Sequence, residues 1–381
     1  MSLKSKVSTS SLICYFLIVV VFAIIRMLSA FGVFDGLDDS FEYFLNVIIQ
    51  VFILFAMSVL LFSAFQKNKV KDTFKFFGYK KISFKAVLIS IGIGIIVYFL
   101  NIFIASFFNA ILSLFGYSSS STTTYLDSYP FWLFLVNILI TAVLPGICEE
   151  TAHRGLLLKG LSGFGEKKAL IISALLFGLM HMNIEQFFYA TLIGLLVGYL
   201  SLICDSIYPA MIVHFMNNAL SVFASYSSFN NLGFEKIIGG FNAALQINFF
   251  LGFLLIVVFM VSLSFILFAL VKLLFRETTV KNMAKLQQTL IKQMQKENYI
   301  KELESTANEG EAQTVSDSIS FEEFDKLYKE HNQKMGLMSN LEQNMLSVPN
   351  TKMNALHKIL YAGILIITVG VTIFTFVWGI L

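Results

Sequence analysis

The sequence predicts an all-α protein, a polytopic bundle of about eight or nine transmembrane helices with a cytoplasmic helical insertion before the last span. Three observations carry this. The 381 residues are 57% hydrophobic and only 13% charged, whereas soluble domains carry about 25% charged residues. Apolar runs near twenty residues, the length that crosses a bilayer as a helix, recur along the whole chain. Lysines gather in alternate connecting loops, the pattern of a chain threaded back and forth through a membrane.

Taken in order, the runs fall at about 11–33, 42–65, 84–116, 130–150, 168–182, 187–204, 208–226, 246–274 and 358–380. Lys4 and Lys6 followed by apolar residues resemble a signal peptide, but the run continues past Arg26 without a small-residue cleavage site, so an uncleaved first span is expected. The loop after the second span holds Lys67, Lys69, Lys71, Lys75, Lys80 and Lys81, and the loop after the fourth holds Lys159, Lys167 and Lys168. The intervening loops are acidic (Asp35, Asp38, Asp39, Glu42) or neutral (Ser118 to Thr124). This alternation places the N-terminus in the cytoplasm, the C-terminus outside, and Glu149 and Glu150 near the cytoplasmic end of the fourth span.

Five regions follow: 1–83, two helices and a basic cytoplasmic loop; 84–226, a helix bundle; 227–275, an outer loop and a helix; 276–357, a cytoplasmic helical and flexible segment; and 358–381, the last span. Within 276–357, Met283, Leu286 and Leu290 repeat at three and four residues, the spacing of an amphipathic helix. Glu304 to Ser320 reads as flexible and Phe321 to Lys334 as a second helix. This segment either docks a protein partner or tethers the last span. The three cysteines, Cys14, Cys148 and Cys204, show no paired spacing and read as apolar packers. No basic run interleaved with aromatics marks nucleic-acid binding.

A charge at mid-bilayer costs roughly 2.5–3.5 kcal/mol, so ionisable residues there need partners or a task. Three groups stand out. In Glu149-Glu150-Thr151-Ala152-His153-Arg154, Glu150 and Arg154 are four apart and share a helical face, so the guanidinium can neutralise or orient a carboxylate. Pro145 should loosen the helix just before them. In Phe177-Gly178-Leu179-Met180-His181, a histidine follows a ten-residue apolar stretch and could share a water with a carboxylate. In His214-Phe215-Met216-Asn217-Asn218, His214 and Asn218 lie four apart and aim the same way, as two donors to an oxyanion would, while Asn217 points elsewhere and bonds another helix. Each group alone also has a bland reading: a solvated helix end, a structural histidine, or helix–helix glue. Together they place an acid, two imidazoles and an amide on nearby spans, 31 residues apart from Glu150 to His181 and 33 from His181 to His214.

The pattern EExxxR, FxxxH and HxxxN resembles that of the CAAX-endopeptidase and bacteriocin-processing membrane proteases, the CPBP or Abi family, over about 84–226. All seven positions are present: Glu149, Glu150, Arg154, Phe177, His181, His214 and Asn218. The resemblance implies a conical helix bundle with a cavity open to cytoplasm and lipid, and an intramembrane endopeptidase acting on a lipidated or hydrophobic peptide. It implies that Glu149 and His181 activate water, that His214 and Asn218 hold the oxyanion, and that Glu150 and Arg154 support them. The expectation is a glutamate protease without a cofactor. The alternative is a zinc enzyme with Glu149, His181 and His214 as ligands, although there is no HExxH and asparagine is an unusual zinc ligand. A competing function is a non-catalytic membrane scaffold or bacteriocin-immunity protein. Residues before the third span and after about 230 lie outside the resemblance and inherit nothing from it.

Overall fold

A computed structural model describes residues 3–34, 36–37, 39–117, 128–234, 236–307 and 352–378, with only the backbone at 39, 279–307 and 378. All regular structure among the described residues is helical. The helices are α1 (Leu3–Ala30), α2 (Asp39–Val47), α3 (Met57–Gln66), α4 (Val70–Phe76), α5 (Phe84–Leu114), α6 (Phe131–Asn137), α7 (Leu144–Glu150), α8 (Lys159–Leu161), α9 (Glu166–Met180), α10 (Ile184–Cys204), α11 (Tyr208–Phe229), α12 (Lys236–Ile247), α13 (Phe249–Ala307) and α14 (Ala355–Trp378). A π-helical stretch, Ile48–Ala56, joins α2 to α3, another, Ile138–Val143, joins α6 to α7, and a third, Thr151–Leu158, joins α7 to α8.

Among the described residues, seven helical stretches are long and apolar enough to cross a membrane: Leu3–Ala30, Ser40–Gln66, Phe84–Leu114, Phe131–Phe164, Ile184–Cys204, Phe249–Thr278 and Ala355–Val377. Two of the nine expected spans fall short. Helix α9 has only 15 residues, and α11 carries His214, Asn217 and Asn218, which lower its hydropathy. Both still pack inside the bundle, α9 against α10 and α11 against α5.

The fourth span also departs from expectation, because it runs through Phe164 rather than ending at Glu150. The charges that looked like a helix end are paired and buried. Glu150, His153 and Arg154 are each at most 1% exposed, so the helix continues past them and the acidic pair sits near the middle of a 34-residue stretch. The expected loosening by Pro145 is present as the π-helical turn before it. Pro145 offers no N–H to the carbonyl of Thr141 four residues back. That carbonyl accepts instead from Asn218 Nδ2 at 3.0 Å.

Helix ends follow local chemistry. The Ser83 hydroxyl accepts from Ala86 N at the start of α5, and Asn183 Oδ1 accepts from Glu185 N at the start of α10. Pro209 occupies the first turn of α11, where its missing N–H is harmless. Two close crossings position the centre. A Cβ on Gly178 would lie 2.7 Å from the Phe187 carbonyl and strike Thr191, so only glycine lets α9 lie this near α10. A Cβ on Gly146 would meet the Met211 carbonyl at 3.3 Å, which shows how tightly α7 rests on α11.

Lysines from the two basic regions meet at one end of the bundle, Lys159 on α8 and Lys80 between α4 and α5. Lys80 Nζ and Lys159 Nζ bind the two carboxylate oxygens of Asp205 at 2.7 and 2.8 Å, at the left-handed turn between α10 and α11. Burial pushes the Asp205 carboxyl up, but Lys159 and Lys80 outweigh it and hold it below the usual carboxylate range. A depressed folded-state value means the contribution is present at neutral pH and fades as pH falls through that depressed value. Asp205→Asn should therefore lower the melting temperature at pH 7 and narrow the gap between pH 7 and acid. Melting curves at both pH values check this, and an unchanged gap would refute it.

In the last third, the helix expected around Met283 to Ile300 is the C-terminal half of α13, a continuous 59-residue helix. Phe321 to Lys334, most of Glu304 to Ser320, Ser118 to Thr124, Asp35 and Asp38 lie outside the described residues. The cysteines are free and buried, as expected.

Candidate active site

Glu150 is the fixed point of the centre. Its side chain is 0% exposed, and Oε1 accepts from Arg154 Nη1 at 3.0 Å and from His214 Nδ1 at 2.8 Å. One carboxylate oxygen thus ties α7 to α11 and pairs with the guanidinium one turn along its own helix, realising the four-residue spacing seen in the sequence. Arg154 Nη2 donates to the Gly194 carbonyl of α10 at 3.2 Å, and its guanidinium lies 4.3 Å from the centroid of the Phe177 ring. Arg154 therefore joins α7, α9 and α10 at a single point.

Phe177 is the hub that joins the histidines. Its ring meets His181 edge-on at 5.1 Å, His153 at 4.9 Å and His214 at 5.7 Å, all between centroids. Phe177 packs against these rings and carries no group that could react. His181 Nδ1 donates to the Phe177 carbonyl at 2.9 Å. A carbonyl can only accept, so this bond puts the proton on Nδ1 and leaves the Nε2 lone pair of neutral His181 free.

Glu149 is the more accessible acid, with its side chain 17% exposed. Its Oε2 lies 3.9 Å from His214 Nε2, and its Oε1 accepts from Gln50 Nε2 at 2.9 Å. The separation of 3.9 Å is longer than a direct hydrogen bond and suits two groups that share one small reactant.

The structure thus sets Arg154, His181 and His214 against Phe177, with Glu150 bonded to Arg154 and His214 and Glu149 3.9 Å from His214. Asn218 sits at the edge, donating to the Thr141 carbonyl and accepting from Asn217 Nδ2 at 3.0 Å. Asn217 was expected to bond another helix, but its amide goes to its neighbour Asn218. One amide hydrogen of Asn218 remains for another acceptor.

Three residues of the site escaped the sequence reading. Gln50 comes from the π-helical stretch after α2 and is 6% exposed. His153 is 1% exposed, with Nδ1 donating to the Glu149 carbonyl at 2.8 Å and Nε2 lying 3.0 Å from the Tyr15 hydroxyl. Tyr15 is fully buried and also reaches the Leu176 carbonyl. A glutamine inside an apolar run (Ile48-Ile49-Gln50-Val51-Phe52) was the available signal for the first, since intramembrane polar residues seek partners. Tyr15 gave no such signal.

No three His, Cys, Asp or Glu side chains among the described residues converge as ligands for a metal ion. His214 Nδ1 is committed to Glu150 and His181 Nδ1 to a backbone carbonyl. These bonds leave each Nε2 open, the nitrogen through which a histidine so anchored would serve a metal.

Residues 130–220 match a family model described as Type II CAAX prenyl endopeptidase Rce1-like. The matched segment contains all seven motif positions. Over these residues the chain is similar to CAAX-type proteases. The match is narrower than the resemblance over 84–226, since α5 falls outside it. No curated protein and no solved structure matches the chain. With its apolar helices, the CAAX-type endopeptidase is a multi-pass membrane protein.

Proposed function

We propose that this endopeptidase is of the glutamate type and cuts a peptide bond in a lipidated or hydrophobic chain with water activated by Glu149. The supporting observation is the Glu150 carboxylate that fastens Arg154 and His214 together and sets His214 Nε2 3.9 Å from Glu149 Oε2.

In this reading, water donates one hydrogen to Glu149 and another to the free Nε2 of His181. Glu149 removes a proton as the oxygen attacks the carbonyl carbon. The carbonyl π electrons move to oxygen, which becomes an oxyanion. His214 and the second amide hydrogen of Asn218 donate to that oxygen. Because Nδ1 of His214 donates to Glu150, His214 can also donate from Nε2 only when both ring nitrogens carry protons, and the Glu150 carboxylate is placed to balance that charge. The tetrahedral centre then collapses, the C–N bond breaks, and Glu149 returns its proton to the leaving nitrogen. Binding draws on the apolar surroundings of the site, which favour an acylated, prenylated or membrane-embedded substrate over a soluble one. We place the protein in the cell membrane with its N-terminus and site opening on the cytoplasmic side, the end where Lys80 and Lys159 meet.

Catalysis in this reading needs no metal. Purified enzyme treated exhaustively with a chelator should keep at least half of its activity, and zinc analysis should find well under one equivalent. Loss on chelation that zinc restores would replace the glutamate mechanism with a metal-assisted one. The substrate class is tested by comparing peptides released from membranes that hold the wild-type chain or Glu149→Ala. Peptides that appear only with the wild type identify it, and identical peptide sets favour the scaffold.

A further inference from the structure

The matched segment does not complete the centre by itself, because Glu149 is held by a residue 99 positions away in the chain. Gln50 is 94% buried, since 6% of it is exposed. Its Nε2 donates to Glu149 Oε1 at 2.9 Å. An ionised carboxylate cannot donate, so the amide must turn its NH2 toward Glu149, and this fixes its orientation. The other amide atom, Oε1, is buried and meets no donor among the described residues. A buried acceptor left without a donor is unfavourable by about 1–3 kcal/mol, and such groups in native structures often mark a functional site. The helix itself is adapted here: Gln50 lies in the π-helical stretch Ile48–Ala56, which packs on α7 beside Glu149.

We propose that Gln50 is a positioning residue of the endopeptidase, supplied by the second span. It holds one oxygen of Glu149, so that Oε2 faces His214 and the reacting water, whose other hydrogen goes to His181 Nε2. Water then has its donors directed to acceptors and a lone pair left for the carbonyl carbon. This rests on the glutamate-water reading above. It also gives the N-terminal helices a chemical role.

The test uses the full chain in detergent. Gln50→Met keeps the side-chain length and removes the hydrogen bond to Glu149. With an internally quenched farnesylated CAAX peptide as probe, kcat should fall roughly ten- to a hundred-fold, the range expected for a hydrogen bond to a charged group, with KM within about two-fold. Gln66→Met is the matched control. Gln66 is a second buried glutamine of the same hairpin, and its amide donates to Ser10 at 2.7 Å, away from the site. It should leave kcat unchanged. A readout free of turnover is a melting cycle in which Gln50→Met shifts the melting temperature in the wild type but much less in a Glu149→Leu background. Additive melting shifts, an unchanged kcat, or an equal loss in Gln66→Met would overturn the proposal. An active Glu149→Ala would instead overturn the glutamate reading, so the two failures are distinct.

Discussion

Glu149→Ala should lower peptide cleavage by at least about a thousand-fold while leaving the fold intact. General-base catalysis alone contributes typically 10²–10⁴-fold, and in the proposed mechanism no other carboxylate is free to take over. Glu150 is committed to Arg154 and His214 through Oε1 and is 0% exposed, so it cannot turn toward a water without releasing both. Stability should change little for the opposite reason. Glu149 is 17% exposed, its described partners are the Gln50 amide and the more distant His214, and removing it leaves no buried cation unbalanced. Glu149→Gln is the stricter version, since it keeps shape and an acceptor for Gln50 but cannot accept a proton productively. Glu149→Asp retracts the base by one methylene, and misplacement of about 1 Å can cost 10²-fold. The ranking expected is wild type, then Asp, with Gln and Ala lowest, and melting temperatures within a few degrees of one another. Retention of more than a tenth of the activity in Glu149→Gln would remove Glu149 from the mechanism and leave the domain fold untouched.

The fold class was legible because hydropathy is written locally: a run such as Leu12 to Ile25 needs no distant partner to declare itself. The motif residues were legible for a similar reason, since Glu150 with Arg154 and His214 with Asn218 sit one turn apart on their own helices. Extents were harder to read. Span four was cut short at Glu150 because charge in a sequence looks like an exit from the membrane, whereas here Arg154 pairs with the carboxylate inside and His214 bonds to it. Helix α11 was counted as a span although its own polar residues lower its hydropathy. Contacts between distant segments were the least visible. Tyr15 to His153 and Gln50 to Glu149 bridge 138 and 99 residues, and neither end carries a local mark of the other. Asn218 shows how a local rule can be incomplete. Its spacing from His214 does give a shared face, but the carbonyl that Pro145 cannot serve takes its amide first.

Arg154→Met should be the most destabilising single change in the bundle, by about 3–5 kcal/mol, the usual result of removing one partner from a buried ion pair. Arg154 is 1% exposed and Glu150 0%, so no water is at hand to solvate the carboxylate left behind. The lost contacts are specific: the bond to Glu150 Oε1, the bond to the Gly194 carbonyl and the seat over Phe177. The cation–π contact alone is worth about 0.5–2 kcal/mol. Arg154→Lys keeps the charge but has no planar fork to reach α7 and α10 at once, so it should fall between wild type and Met. The decisive comparison is the double variant. Glu150→Gln leaves an acceptor for His214 and removes the stranded charge, so Glu150→Gln combined with Arg154→Met should melt higher than Arg154→Met alone, an inversion of simple additivity. Thermal melts of the four proteins in one detergent measure this directly. If the double variant instead melts lower than Arg154→Met, the carboxylate is not the group that Arg154 neutralises, and its burial reflects packing of the stem against Phe177. Activity should not follow the same inversion, because the double variant keeps Glu149 but lacks the carboxylate that balances a doubly protonated His214. A protein restored in stability but still slow would separate the pair's role in holding the bundle from its role at the reacting bond.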